Sequence, residues 1–388
     1  MAELTVTAKI KLHTSPEQEE FLSRTMHAYR EACNFVSEHV YRTHDLAQAS
    51  LNKSLYHELR ARFGLKSQMA QSVIKTVIAK YKAMRSNGHG WAEAVFRLPQ
   101  LDLVWNRDYS LNGKLFSVNT LDGRLKLPYA EKGMERYFTG DYRFGTAKLV
   151  YRHGKYFLHV PATCNVPDAS LESVSCVVGV DLGINFLTAS YDSSGKSRFF
   201  SGRAAKQKQA HYRALRKELQ MRQTASSRKR LKAIGERENR WMSDVCHQAS
   251  KALVSSYPKD TLFILEDLSG IHGHIKEQVY RKDGRSMLVS WAFYRMGQYI
   301  SYKAARNGQS VVFLNRAYTS QACPKCGHVE KGNRNKKKHL FRCKNCGYQS
   351  NDDRAAAMNL YRMGITVPGT GVRGHVLRMW GTINCPVM

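Results

Sequence analysis

Four cysteines carry the plainest chemistry in the chain. Cys323-x2-Cys326 and Cys343-x2-Cys346 are two pairs sixteen residues apart, the spacing of a four-thiolate zinc site. Gly327 and Gly347 follow the second sulfur of each pair, where a tight turn helps a knuckle form. Four thiolates fill a tetrahedron, so the spacing predicts one structural zinc ion with no open catalytic position. A second candidate is a set of scarce acids. Asp181 in Gly179-Val180-Asp181-Leu182-Gly183 and Glu266 in Leu262-Phe263-Ile264-Leu265-Glu266 lie in apolar runs. A carboxylate there is costly unless it is paired or holds a cation. Asp352 and Asp353 start a helical stretch over 354–363 just behind the second cysteine pair, a place where an acid is usually a cap favoured by the helix dipole. Carboxylates brought together from two strands and a helix make an oxygen-lined site for Mg2+. Two such ions ~3.5–4 Å apart activate water and stabilise the leaving oxygen in phosphodiester hydrolysis.

The charge balance says what such a site would act on. The 388 residues hold 61 Lys+Arg against 31 Asp+Glu, a formal net charge of +30. A body so charged repels itself unless a polyanion neutralises it, and nucleic acid does so by releasing counterions. No basic amphipathic tail or lipidation signal supports a membrane surface instead, and no run reaches the ~18 apolar residues of a spanning helix. No membrane partner is therefore expected. Glu3, Lys9 and Lys11 stand where a secretory leader would be apolar. Nine cysteines, an odd number with four in metal-type pairs, fit a reducing cytosol better than a disulfide framework. A cytoplasmic protein, nucleoid-associated when bound to DNA, is the expectation. A 43% apolar content excludes disorder.

The base excess is also local: residues 203–240 carry thirteen Lys and Arg against Glu218, Glu236 and Glu238. A merely solvated helix face mixes its signs more evenly. Arg213, Arg216, Arg222, Arg228, Lys229 and Arg230 are the nucleic-acid contacts expected from it.

The elements that must position these groups are legible from periodicity. Residues 4–13 alternate, with Leu4, Val6, Ala8, Ile10 and Leu12 on one face, as a half-buried strand does. Ser15-Pro16-Glu17-Gln18 reads as a capping box with Pro at the first helical position. Helices are predicted to about residue 44, over 50–63 and over 67–85. Shorter alternating runs from 95 to 163 make a β unit with the first strand, into which the helical block is inserted. Val174–Asp181 and Thr261–Glu266 are near-continuous apolar runs suited to buried central strands. Phe186–Tyr191, Ser197–Phe200 and Ser310–Leu314 add further strands, and 203–256 and Trp291–Arg306 add helices. The order strand-Asp, hairpin, helices, strand-Glu, helix, strand, helix-Asp is that of a ribonuclease-H-like sheet. Actin-like ATPases share that topology, but no second Asp-x-Gly phosphate loop or adenosine-binding Gly-Gly segment is found.

In combination these motifs resemble TnpB, the family of compact nucleases of insertion sequences related to type V CRISPR effectors. The resemblance rests on Gly179-Val180-Asp181-Leu182-Gly183-Ile184, Leu265-Glu266-Asp267-Leu268, Thr319-Ser320-Gln321-x-Cys323, the cysteine pairs with Gly347-Tyr348, and Asp353-Arg354-Ala355-Ala356-Ala357-Met358-Asn359-Leu360. Gly123-Arg124-Leu125-Lys126-Leu127-Pro128 also resembles that family's wedge domain. Ala355 departs from the family pattern, which usually has Asn there.

The resemblance implies a multidomain α/β chain. It implies a wedge β-barrel over 1–14 and 93–172, a helical recognition insert over 15–92, and a RuvC-like nuclease domain over 173–320 and 351–365. A zinc ribbon over 321–350 and a flexible tail over 366–388 complete that division. It implies an RNA-guided DNA endonuclease with guide RNA and double-stranded target DNA as partners, expected as a monomer. Asp181, Glu266 and Asp353 match the family's catalytic trio, with Asp352 the outside candidate for the third position. Two Mg2+ ions and one Zn2+ are the implied cofactors. The third helix presents Ser67, Gln68, Gln71 and Lys75, and amide side chains there can read adenine edges in a major groove. Two alternatives are a guided DNA-binding regulator with a silent site and a compact CRISPR effector. A transposition-associated protein without cleavage, or an unguided nuclease or transposase that needs no RNA, is a third.

Overall fold

A computed structural model describes residues 2–112, 114–167, 174–267, 293–314 and 319–365. The expected tail over 366–388, the start of the helix at Trp291 and Leu268 lie outside the described residues. The described chain divides into two compact units, one over residues 5–165 and the other over 166–365 with 2–4.

Strand β1 (Ala2–Lys11) enters the first unit at Thr5 and buries Ala8 and Ile10 there on the alternating face. Helix α1 (Pro16–Thr43) starts at Ser15 with the expected capping box: Gln18 N–H donates to Ser15 Oγ, and Ser15 N–H donates to Gln18 Oε1. Helices α2 (Gln48–Phe63) and α3 (Ser67–Ser86) follow, the latter burying Ala70, Val73, Val77 and Tyr81. The β part comprises β2 (Gln100–Leu103), β3 (Tyr109–Asn112), β4 (Leu115–Thr120), β5 (Gly123–Pro128), β6 (Arg143–Phe144), β7 (Ala147–Arg152) and β8 (Lys155–Val166). The expected β-barrel is not confirmed: the strands form two sheets. One runs β1-β8-β7-β2 with β6 also on β8, and the other β3-β4-β5. An isolated Leu12–Tyr129 bridge joins them. Helix α3 lies against β2, where Thr76 donates to Asp102 at 2.5 Å.

The second unit is built on a five-stranded sheet ordered β11-β10-β9-β12-β13. Its strands are β9 (Cys176–Asp181), β10 (Phe186–Asp192), β11 (Ser197–Ser201), β12 (Thr261–Glu266) and β13 (Ser310–Leu314). Strands β9 to β11 pair antiparallel, whereas β12 runs parallel to both β9 and β13. Helices α4 (Arg203–Arg222) and α5 (Ala225–Ser255) precede β12, α6 (Phe293–Arg306) precedes β13, and α7 (Asp352–Ile365) ends the described chain.

Both sheet faces are covered. Val178, Val180, Phe263 and Leu265 pack with Met242, Cys246 and Ala249 of α5 and Met296 and Ile300 of α6. On the other face Val177, Leu262 and Ile264 pack with Leu360 of α7. Burial on both sides is why these strands are apolar at successive positions.

Helix α7 reaches the sheet through Gly179. A Cβ at that position would overlap Ala357 O and Tyr361 N. Those are backbone atoms, which cannot swing aside. Gly179→Ala is therefore expected to destabilise the second unit by about 3 kcal/mol, the upper end for overpacked cores, measured by chemical denaturation. Unchanged stability would mean that α7 lies further from β9. No described helix is long and apolar enough to cross a membrane.

Candidate active site and metal centre

The sheet register brings two of the acids to one end. Leu265 of β12 lies beside Val180 of β9 in the parallel pairing, so the next residues, Glu266 and Asp181, close neighbouring strands together. Helix α7, held close by Gly179, presents Asp353 in its first turn. A Cβ built on Gly183 would stand 3.7 Å from Asp353 Oδ2 and 3.9 Å from Asp181 Oδ2. These two oxygens therefore converge on one small volume beside the Leu182-Gly183 turn. Glu266 Oε1 accepts a hydrogen bond from Thr319 Oγ1.

The electrostatics are those of buried acids crowded by one another. Burial, then the charges of Glu266 and Asp353, hold the Asp181 carboxyl well above its usual range. Asp353 is raised as well, by burial first and then by Asp352. Arg334 of strand β14 (Arg334–Asn335) offsets part of this: its Nε lies 2.8 Å from Asp352 Oδ2 and its Nη2 3.4 Å from Asp353 Oδ1. Asp352 is fully engaged elsewhere too. Its Oδ1 is 3.7 Å from His339 Nδ1 and accepts from Asp353 N–H at 3.1 Å. Asn185 Nδ2 stands 2.9 and 3.0 Å from the His339 ring nitrogens, and Lys206 Nζ donates to Asn185 Oδ1 at 2.7 Å. In the sequence Arg334 and His339 belong to a run of bases, and no signal there distinguishes them from their lysine neighbours. The structure turns both toward the acids.

The cysteine pairs meet as their spacing predicts. Cys323 Sγ and Cys346 Sγ are 3.6 Å apart, as are Cys326 Sγ and Cys343 Sγ, close to the ~3.8 Å edge of a tetrahedron with 2.3 Å Zn–S bonds. Among the described residues these four form the one group of three or more such ligands whose donor atoms all lie within 4.8 Å of each other. The carboxylates of the trio are thus more loosely gathered than the sulfurs, as expected of like charges.

The knuckles form as expected. Gly327 and Gly347 adopt φ of 76° and 69°, and their N–H groups donate to Cys323 O and Cys343 O. The crowded sulfurs split in opposite directions, Cys326 pulled down to about 6, first by the His328 backbone, and Cys346 pushed up to about 12. Strands β14, β15 (Leu340–Arg342) and β16 (Gln349–Asn351) make the three-stranded sheet of this segment. Ala355 of α7 is buried with Cys323, Phe341 and Cys343, so the residue that departs from the TnpB pattern fills the core beneath the sulfurs.

The expected nucleic-acid contacts divide. Arg222, Arg228, Lys229 and Arg230 are exposed and Arg213 is half-buried. Arg216 instead pairs with buried Glu238, joining α4 to α5, and Arg222 lies 2.5 Å from Glu218 one turn away. On α3, Lys75 and Ser67 are exposed and Gln71 is half-buried. Gln68 accepts from Arg107 at 2.9 Å, and Ser67 accepts from Tyr56 at 2.9 Å.

Two family models match the chain: a "Probable transposase" model over residues 159–269 and a "Cas12f1-like, TNB domain" model over 293–360. The CRISPR-associated endodeoxyribonuclease Cas12f1 of Sulfoacidibacillus thermotolerans is 26% identical over 243 residues, covering 58% of this chain and 55% of that protein. A TnpB-like protein of Methanocaldococcus jannaschii is 34% identical over 127 residues, covering 32% and 44%. The chain thus spans about half the length of the curated relatives it matches. A cryo-EM structure of a Cas12f1–sgRNA–target DNA complex shares the fold, with TM-score 0.57 and 13% identity over 92% of this chain and 99% of that one. That fold is mixed α/β with several sheets, as is this one. Taken together, the family models and the named relatives agree with the motifs, and the chain fits the TnpB family.

Proposed function

We propose that the chain is an RNA-guided DNA endonuclease whose hydrolytic site is built from Asp181, Glu266 and Asp353. The carrying observation is the convergence of Asp181 Oδ2 and Asp353 Oδ2 on one volume, with burial raising both carboxyls, helped by the charges of Glu266 and Asp353 at Asp181 and of Asp352 at Asp353. Such a site is stabilised by hard cations with oxygen ligands. The three carboxylates would hold one or two Mg2+ ions, which when bound supply an activated water and stabilise the leaving oxygen. Asp353 is the better third ligand than Asp352, because Asp352 already serves Arg334, His339 and the Asp353 N–H. The four cysteines would hold the structural zinc.

The sheet order, with three antiparallel strands and two parallel ones, supports a RuvC-like reading of 173–320 and 351–365 with 321–350 as its zinc ribbon. The sheets and helices of the first unit then serve as wedge and recognition insert. The sgRNA and target DNA named with the Cas12f1 structure, the endodeoxyribonuclease name of its relative and the +30 charge support guide RNA and double-stranded target DNA as partners. Base pairing would supply sequence choice while the protein reads backbone shape.

The test is plasmid cleavage by the protein with its co-purified RNA in Mg2+. Cutting is expected, and ribonuclease pre-treatment is expected to abolish it. Asp353→Ala should remove cutting, while Asp352→Ala should leave a measurable fraction. Cutting that survives ribonuclease overturns the guided reading, and guided binding without cutting by wild type overturns the enzyme reading. Equal loss in both Asp variants overturns the choice of Asp353.

A further inference from the structure

We propose that the first unit carries a stacking pocket for one unpaired nucleobase, built around Trp91. A tryptophan exposed to 37% is unremarkable if it is mobile, but this one is fixed from several sides. Its indole N–H donates to Tyr41 O at 3.1 Å, and its ring stacks on His44 at 4.3 Å and 12°. His44 is itself held in the left-handed conformation that ends α1.

The segment bearing Trp91 is pinned to α1 beyond it. Ser37 Oγ donates to Ala94 O at 2.7 Å, and Asn34 exchanges hydrogen bonds with both Phe96 N–H and Phe96 O. Tyr81 completes the frame, its hydroxyl donating to Ser37 O at 2.9 Å and its ring lying 5.0 Å from the indole. Beside this plate is a cavity of about 230 Å3 lined by Tyr81, Met84, Arg85, His89 and Trp91 among others. Drug-sized pockets run to about 300–1,000 Å3, so this space suits a single planar ring system.

Charge decides the occupant. Between residues 80 and 97 the chain carries Lys80, Lys82, Arg85 and Arg97 against the single acid Glu93. An aromatic plate held rigid beside cations is how proteins take unpaired bases, the ring stacking while the cations meet the adjoining phosphates. Pre-ordering the plate removes the ordering cost that a free side chain would incur on binding. The proposal rests on the nucleic-acid part of the proposed function and not on catalysis. The base could belong to RNA or to displaced DNA, and the two arms of the test separate them.

The whole protein is irradiated with two 5-iodouracil-bearing single-stranded oligonucleotides of one sequence, an RNA and a DNA, and the adducts are mapped by mass spectrometry. An adduct at Trp91 or in its immediate peptide is expected in at least one arm. Trp91→Ala should weaken that arm about tenfold, with the slope of affinity against salt unchanged because stacking releases no counterions. Trp91→Phe, which keeps an aromatic plate, should retain most of the affinity. Arg85→Glu, on an exposed side chain outside the core, should weaken binding and reduce the salt slope, so the test does not depend on the fold tolerating Trp91→Ala. If wild type binds but its adducts fall elsewhere, or if Trp91→Ala and Arg85→Glu bind as wild type does, the pocket is refuted alone. Failure of wild type to bind either oligonucleotide refutes the pocket together with the nucleic-acid reading.

Discussion

Asp181→Asn is expected to abolish DNA cleavage and at the same time to stabilise the metal-free protein. The Asp181 carboxyl is held well above its usual range by burial and by the charges of Glu266 and Asp353. A carboxylate whose folded pKa exceeds its unfolded one weakens the fold as pH rises through that interval and has no effect below it. Asparagine keeps the shape and is neutral throughout. In EDTA at neutral pH the variant should therefore melt higher than wild type, by ~2–4 °C for each kcal/mol relieved in a unit of this size. The difference should vanish below the ordinary carboxylate pKa of about 4. Added Mg2+ should reverse the order, because only the wild-type site gains from binding it. Cleavage should fall about a thousandfold or more, since the proposed metals would supply several kcal/mol of transition-state stabilisation. On the proposed function, RNA-dependent DNA binding should persist, because base pairing and backbone contacts rather than this carboxylate would carry it. Cleavage near the wild-type rate, or a variant less stable than wild type in EDTA, would refute the account of Asp181 as a metal-holding acid kept under repulsion.

How much of this was legible in the sequence depended on whether the signal was local. Strands β9 and β12 were readable because burial on both faces demands apolar residues at every position, and each acid then stood out at a strand end. The α1 start was readable because its capping box lies within four residues. The cysteine spacing sufficed for the knuckles because each pair closes on its own turn. Pairings chosen across distance were not readable. Arg216 meets Glu238 only because α4 folds back on α5, and within thirteen similar bases nothing singles it out. The division of the first unit into two sheets turned on which strand neighbours which, a choice alternation does not encode. Ala355 is a departure in the linear motif, and only its place beneath Cys323 and Cys343 gives it a reason.

The same non-local packing makes the ribbon more than an appendage, and Cys343→Ser is expected to disable the acids without touching them. Cys343 is buried in the cluster that includes Cys323, Phe341 and Ala355, so losing one sulfur would remove a ligand of the proposed zinc and loosen the core under α7. Structural zinc contributes about 10–16 kcal/mol in isolated finger peptides, far more than a three-stranded sheet of two- and three-residue strands could replace. Zinc content is expected to drop from about one per chain to near zero, with proteolytic cleavage appearing within 321–350. Strand β14 would then no longer hold Arg334 against Asp352 and Asp353, and both carboxylates would be left buried without their cation. Breaking a buried pair by removing one partner typically costs about 3–5 kcal/mol, so the first turn of α7 should rearrange and Asp353 should leave its place beside Asp181. DNA cleavage should fall about a hundredfold, the upper end for losing a group that orients a metal site's ligands. Arg334→Ala in an intact, zinc-loaded ribbon isolates the electrostatic step. It should reproduce most of the loss of cleavage while zinc content and protease resistance stay at wild-type levels. A Cys343→Ser protein that has lost its zinc yet cuts DNA at the wild-type rate would show that the ribbon and the acids are independent, and the arrangement of Arg334 would then have no part in holding the site.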